Sequence, residues 1–172
     1  DFTEGVYSEF LQGRINLEGY YSSTVIQDNF LTEPTGVLRK RKGTSYIANS
    51  HSQNESSRLI PFQFNKGDGI IIEFSQDGEV RFLKNNAVLT VELTGSCPYK
   101  KNEIHEFQYV QTKDIVFLVH PNHPPLRLHR GSSDNSWSIA NMSFHNTNLF
   151  GTKGNYPSCV TMHEQRLVFA GT

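Results

Sequence analysis

Apolar and polar positions alternate with a period of two through the middle of the chain, the pattern of strands with one buried face. Ile60, Phe62 and Phe64 recur at every second position, as do Val80 with Phe82 and Val91 with Leu93. Four short apolar runs follow one another here: Leu59–Phe64, Ile70–Phe74, Val80–Leu83 and Ala87–Leu93. They are separated by Lys66-Gly-Asp-Gly69, Gln76-Asp-Gly78 and Asn85-Asn86, residue types that tolerate the positive φ angles of hairpin turns. The spacing predicts a four-stranded antiparallel meander, the unit from which sandwiches and propeller blades are built.

A second β-block runs from Phe107 to Arg130. Phe107, Tyr109 and the run Ile115–Val119 supply apolar surface, with a tight connection at Thr112-Lys113 between them. Pro121, Pro124 and Pro125 lack an amide N–H, so the ladder is expected to stop at a stiff loop before a third strand. The block reads as scaffold. His120, Pro121, Pro124, Pro125 and Arg130 are its structural motif, with His120 hydrogen-bonding backbone near the strand end.

The flanks are less regular. Residues 1–15 are expected as an extended arm. Asn16 is a candidate N-cap for one short N-terminal helix, with Leu17, Tyr20, Tyr21 and Thr24 at helical spacing and Gly19 limiting it to two or three turns. Thr24, Val25 and Ile26 favour a strand through Phe30, Pro34-Thr-Gly36 a turn, and Gly43–Ala48 another strand. Residues 49–57 are polar throughout and predict an exposed, mobile loop. Residues 94–103 read as a connection, Ser136–Asn141 as a strand, residues 145–158 as a long polar loop, and Val160–His163 with Arg166–Phe169 as a closing hairpin. The fold class is therefore mainly β: antiparallel meanders forming a propeller-like or sandwich domain. We divide the chain into residues 1–48, an arm with a short helix and strands, and residues 49–172, an antiparallel β-domain. The chain begins at Asp1 and stops just after a strand, so it is expected to be incomplete, a part of a longer polypeptide, or paired with another chain.

The 172 residues suffice for a sizeable core, and 12% aromatic content leans towards sheets. A net charge of −1 gives no global pull towards nucleic acid or an anionic membrane. No apolar run approaches the roughly 20 residues of a membrane-spanning helix. Cys97 and Cys159 lack metal-site spacing and, without a secretion signal, are expected as free thiols.

Candidate chemistry is sparse. His120, His123 and His129 cluster in sequence, but a proline-rich extended backbone is expected to make their side chains diverge, so no metal site is assigned. Glu103 and Glu106 are read as solvated charges rather than a catalytic pair. No nucleophile elbow, phosphate loop or dinucleotide fingerprint occurs, and neither catalytic residues nor cofactors are assigned. Arg39, Lys40, Arg41 and Lys42 are the candidate contact for DNA or an acidic partner. An alternative of another class is a carbohydrate-binding β-module of a phage or bacterial surface protein, using exposed Trp137, Tyr99 and Tyr156.

Five segments, in order, resemble one family. They are Gly13–Leu17 with Tyr20 or Tyr21 and Asn29-Phe30; Gly36–Thr44, with its basic Gly-Thr turn; and Arg58–Phe64 followed by Ile72–Phe74. The fourth is Tyr109-Val-Gln111, Asp114-Ile115, Leu118–Pro121, His123–Pro125, Leu128 and Arg130. The fifth is Tyr156-Pro157 with Arg166–Thr172. Together they are similar to the N-terminal part of the tail nozzle (tail tubular protein B, or packaged-DNA stabilisation) proteins of short-tailed phages and prophages. The resemblance implies a structural virion protein in the tail, assembled in the bacterial cytoplasm and not an enzyme. It further implies a hexameric ring between portal or adaptor and distal tail proteins, whose channel retains packaged DNA and passes it at ejection. It also implies a propeller-like β-domain.

Overall fold

Alternation along the sequence becomes two four-stranded antiparallel sheets in the computed structural model, which describes residues 2–146 and 149–171. The chain forms two compact units, Asp1–Tyr46 and Ile47–Thr172. In the first, β1 (Gly5–Val6) pairs in parallel with β2 (Ser23–Thr24), and β3 (Phe30–Thr32) forms a hairpin with β4 (Leu38–Lys40).

The expected N-terminal helix is shorter and tighter than two turns. Leu17, Tyr20 and Ser22 each donate three residues back, and only Tyr20–Ser22 forms a 3-10 turn, preceded by another at Glu9–Leu11. Gly19 and the β-branched residues after Ser23 offer too few good helix formers to offset the cost of nucleation. The strand expected over Gly43–Ala48 is absent, and residues 41–50 have no regular structure.

In the second unit, β5 (Ser57–Asn65), β6 (Asp68–Ser75), β7 (Val80–Lys84) and β8 (Ala87–Leu93) form the predicted meander, each strand beside the next. Alternation decides the faces: Ile60 and Phe62 are each 1% exposed, whereas Leu59, one position out of phase with them, is 60% exposed. The Asn85-Asn86 turn places both asparagines at positive φ (52° and 62°), the mirror-image geometry that suits the strand twist. At the later Glu164-Gln165 turn the same left-handed angles (46° and 62°) fall on residues with no intrinsic preference for them.

One short helix, α1 (Glu103–Glu106), ends the connection after β8. Arg58 of β5 caps it, donating from Nη1 to the carbonyls of Ile104, His105 and Phe107 and lying 4.2 Å from the Phe107 ring centre. Carbonyls at a helix end lack internal partners, so this guanidinium satisfies three groups at once. The second meander follows: β9 (Gln108–Thr112), β10 (Ile115–His120), β11 (His123–Arg130) and β12 (Trp137–Asn141). The prolines do not stop the ladder as expected. Pro124 and Pro125 lie inside β11, within a register shift between Leu118 and His120 where no N–H is required. Pro125 still accepts from Met142 N–H at 2.8 Å through its carbonyl.

The two meanders share one core. Trp137 of β12 stacks on Phe82 (4.2 Å) and meets Phe62 edge-on (4.9 Å), both from the first sheet. Phe107 meets Phe74 at 5.2 Å and stacks on Tyr99 at 4.8 Å. First strands lie together, with Gln111 of β9 accepting from Gln63 N–H of β5 and donating to Gln63 O, so a side-chain amide mimics a ladder rung. Last strands β8 and β12 also lie together. Equivalent strands of consecutive meanders thus face each other, the relation found between two layers of a sandwich or neighbouring propeller blades. The hairpin of β13 (Cys159–His163) and β14 (Arg166–Ala170) lies against β9 and β10. A cluster of Phe144, Phe150 and Phe169, 5.2 to 5.8 Å apart, accompanies it. Of the long loop expected over 145–158, Thr147 and Asn148 lie outside the described residues, as do Asp1 and Thr172.

Candidate functional site

The basic run falls on the β3–β4 hairpin and just beyond it. Arg39 is ion-paired with Glu33 at 2.7 Å, and Arg41 donates from Nε to Asn29 Oδ1 at 2.7 Å. Two of the four cations are therefore spent locally. The Lys40 and Lys42 side chains are exposed and have no partner among the described residues, so they are the groups available to an external anion.

The histidine corner is built by the turn between β10 and β11. Pro121 and Asn122 reverse the chain, His120 and His123 become cross-strand partners, and their ring centres lie 5.3 Å apart. The expectation that the side chains diverge is thus overturned for this pair, because the turn rather than the prolines sets their direction. His129 is separate, paired with Ile115 at the other end of the hairpin. Glu103 of α1 joins the corner: it is 2.8 Å from His123 Nε2 and accepts from Asn122 Nδ2 at 3.1 Å. These contacts, led by the His123 hydrogen bond, hold its carboxyl down at about 2. Glu103 is a locked carboxylate rather than the solvated one expected, and it stays charged wherever a general acid would have to be protonated.

The carboxyl and imidazole atoms of Glu103, His120 and His123 converge closely enough to hold a metal ion, but the tautomer argues against it. His120 is fully buried and its Nδ1 accepts from Asn122 N–H at 3.1 Å. Neutral His120 therefore carries its proton on Nε2, which lies 3.5 Å from Glu106 Oε2. A metal there would displace that proton and place a second one against the Asn122 amide. His120 instead does what its position at a strand end suggested: it hydrogen-bonds backbone and fixes the turn.

Arg130 belongs to a charge network tying the meanders together. It contacts Asp134 at 2.7 Å and Asp114 at 3.6 Å, with its guanidinium 3.8 Å from the Phe64 ring centre. Lys84 of β7 reaches the same Asp134 at 2.7 Å and Asp68 at 2.5 Å. The aromatic platform imagined for a glycan is largely interior: Tyr99 is 0% and Trp137 8% exposed, leaving Tyr156 partly exposed.

One constellation was not visible from sequence. The 49–57 segment, expected to be mobile, is pinned to the first sheet. His51 Nδ1 lies 2.7 Å from Asp77, its Nε2 lies 3.1 Å from Glu92, and its backbone N–H donates to Glu73 at 3.0 Å. Arg81 bridges Glu73 and the Asn49 carbonyl. This explains how Glu73, on the face away from the core, can be 2% exposed: a guanidinium and a backbone amide surround its carboxyl group. Among the described residues no helix is long and apolar enough to cross a membrane. Comparison of the chain with protein-family models and with curated proteins gives no match.

Proposed function

We propose that this chain is a structural component of the short tail of a phage or prophage, a tail-nozzle protein that works by assembly and not by catalysis. The observation that carries this is the surface of the first unit. Among its described residues only Gly36 is buried, while Phe10 is 94%, Tyr21 81%, Ile26 72% and Ile15 64% exposed. Large apolar side chains left in water in such numbers mark a surface made for a protein partner. In this reading the partners are further copies of the chain in a ring, with portal or adaptor and distal tail proteins above and below. The second unit, with its shared core and inter-sheet charge network, is the rigid wall. Lys40 and Lys42 contact passing DNA through phosphate charge alone, and the near-neutral whole (net charge −1) lets a duplex slide without sticking.

The test is electron microscopy of the full-length protein and of tails containing it. A closed ring with an axial channel is the expected result. A full-length protein that remains monomeric and is absent from virions refutes the proposal.

A further inference from the structure

His51 poses a proton-counting problem. Both ring nitrogens face carboxylates, Asp77 on Nδ1 and Glu92 on Nε2, yet a neutral imidazole has one N–H to give. In the tautomer that uses the shorter contact (2.7 Å), Nδ1–H donates to Asp77 Oδ2. The lone pair of Nε2 then points at Glu92 Oε1, acceptor against acceptor. Beside them Glu79 Oε2 is shut off from solvent and has no hydrogen-bond partner among the described residues, while Glu79 Oε1 accepts from Gly95 N–H at 3.3 Å. The ligand atoms of His51, Glu79 and Glu92 lie within 4.8 Å of one another.

We propose that His51 Nε2, Glu79 and Glu92 form a binding site for a divalent transition-metal cation of the Zn2+ type, with Asp77 orienting the imidazole from behind. One cation between these atoms resolves all three defects: it meets the Nε2 lone pair, separates it from Glu92, and gives the orphaned Glu79 oxygen a partner. The spacing suits it. With metal–ligand bonds of about 2.0 Å, two ligands of a tetrahedral centre lie roughly 3.3 Å apart, close to the 3.1 Å between His51 and Glu92. Carboxylate hydrogen-bonded to Nδ1, with Nε2 turned to the ion, is the arrangement that fixes the ligating tautomer.

Protonating His51 on both nitrogens is the competing resolution. It satisfies Glu92 but leaves Glu79 Oε2 unpartnered, and it sets one positive charge among the three carboxylates Asp77, Glu79 and Glu92. Glu73 adds nothing to that imbalance because Arg81 neutralises it. An imidazole ligand favours zinc-like ions over Mg2+ or Ca2+. The three ligands come from the 49–57 segment, the residue before β7, and β8, so the ion would staple the segment to the sheet and keep a coordination position for water.

Calorimetric titration of the full chain with Zn2+ at neutral pH tests the site, with far-UV circular dichroism confirming that each variant is folded. One equivalent is expected to bind. His51→Gln and Glu79→Gln should abolish binding, Asp77→Asn should weaken it about tenfold, and a large excess of Ca2+ should not compete. His123→Gln, at the other histidine corner, should leave binding unchanged. The proposal is overturned if folded wild-type chain takes up no Zn2+, if binding survives His51→Gln or Glu79→Gln, or if it is lost in His123→Gln. Nitrogen NMR showing both His51 nitrogens protonated under saturating Zn2+ also overturns it.

Discussion

Replacing Trp137 by alanine separates a scaffold residue from a ligand platform. Its indole lies between Phe82 and Phe62 at the seam of the two sheets, 8% exposed, and its Nε1–H donates to the Asp134 carbonyl at 2.8 Å. Truncation removes on the order of 150–200 Å² of buried apolar surface, worth about 4–5 kcal/mol at about 25 cal/mol per Å². It also removes one hydrogen bond, about 1 kcal/mol, and two ring contacts of roughly 0.5–1.5 kcal/mol each. Partial collapse of the hole offsets some of this, so a net loss of about 3–5 kcal/mol is expected. Urea unfolding followed by circular dichroism measures it, at an unchanged m-value. Trp137→Phe keeps a ring in the stack and loses the N–H donor, so it should cost less, about 1–2 kcal/mol. Trp137 is the sole tryptophan, so fluorescence of the wild type reports this seam directly. A loss below about 1 kcal/mol for Trp137→Ala would refute the shared core. A stable variant that had lost glycan binding would instead favour the carbohydrate reading.

Three further outcomes follow from the same geometry. Glu103 is depressed from an ordinary 4.5 to about 2, so its contribution is complete above pH 4.5 and is lost as pH falls towards about 2; acid unfolding of Glu103→Gln, measured over that window, should show this component missing. Native chain should present one thiol to a disulfide reagent and two in denaturant, because Cys159 is exposed whereas burial encloses Cys97 and pushes its thiol up to about 11; two fast-reacting native thiols would contradict that burial. Replacing Lys40 and Lys42 by glutamine should weaken non-specific DNA binding and reduce the log–log salt slope by about 1.8, whereas Arg39→Gln, already paired with Glu33, should change it less; an unchanged slope in the double variant removes the DNA contact from the hairpin.

Much of the fold was legible because it is local. A strand with one buried face writes its period into consecutive residues, and Ile60 and Phe62 went inward where that period placed them. Turn residues such as Asn85-Asn86 then fixed where each strand stopped. Errors arose where a local rule met a non-local partner. Pro124 and Pro125 looked like strand breakers, but a bulge against β10 left their missing N–H groups with nothing to donate to. Trp137 and Tyr99 looked like exposed binding aromatics because a lone aromatic in a polar stretch gives no sign of the second sheet that covers it.

The chemistry was less legible for a sharper reason. Three histidines close in sequence suggested a cluster, whereas the histidine with the more telling surroundings, His51, stands alone in a polar run. Its carboxylates lie 26 and 41 positions onward, at Asp77 and Glu92, and only the hairpins of the first meander bring them back to it. Proximity in sequence brought His120 and His123 together, and a single backbone amide then settled His120 as structural. What distinguishes the two sites is therefore the second contact of each imidazole. Where a ring nitrogen accepts from backbone, its partner must keep a proton; where a carboxylate takes that proton, the far nitrogen is left open. Spacing along a chain records neither. A histidine in a β-protein is better judged by what lies behind its ring than by how many other histidines stand nearby.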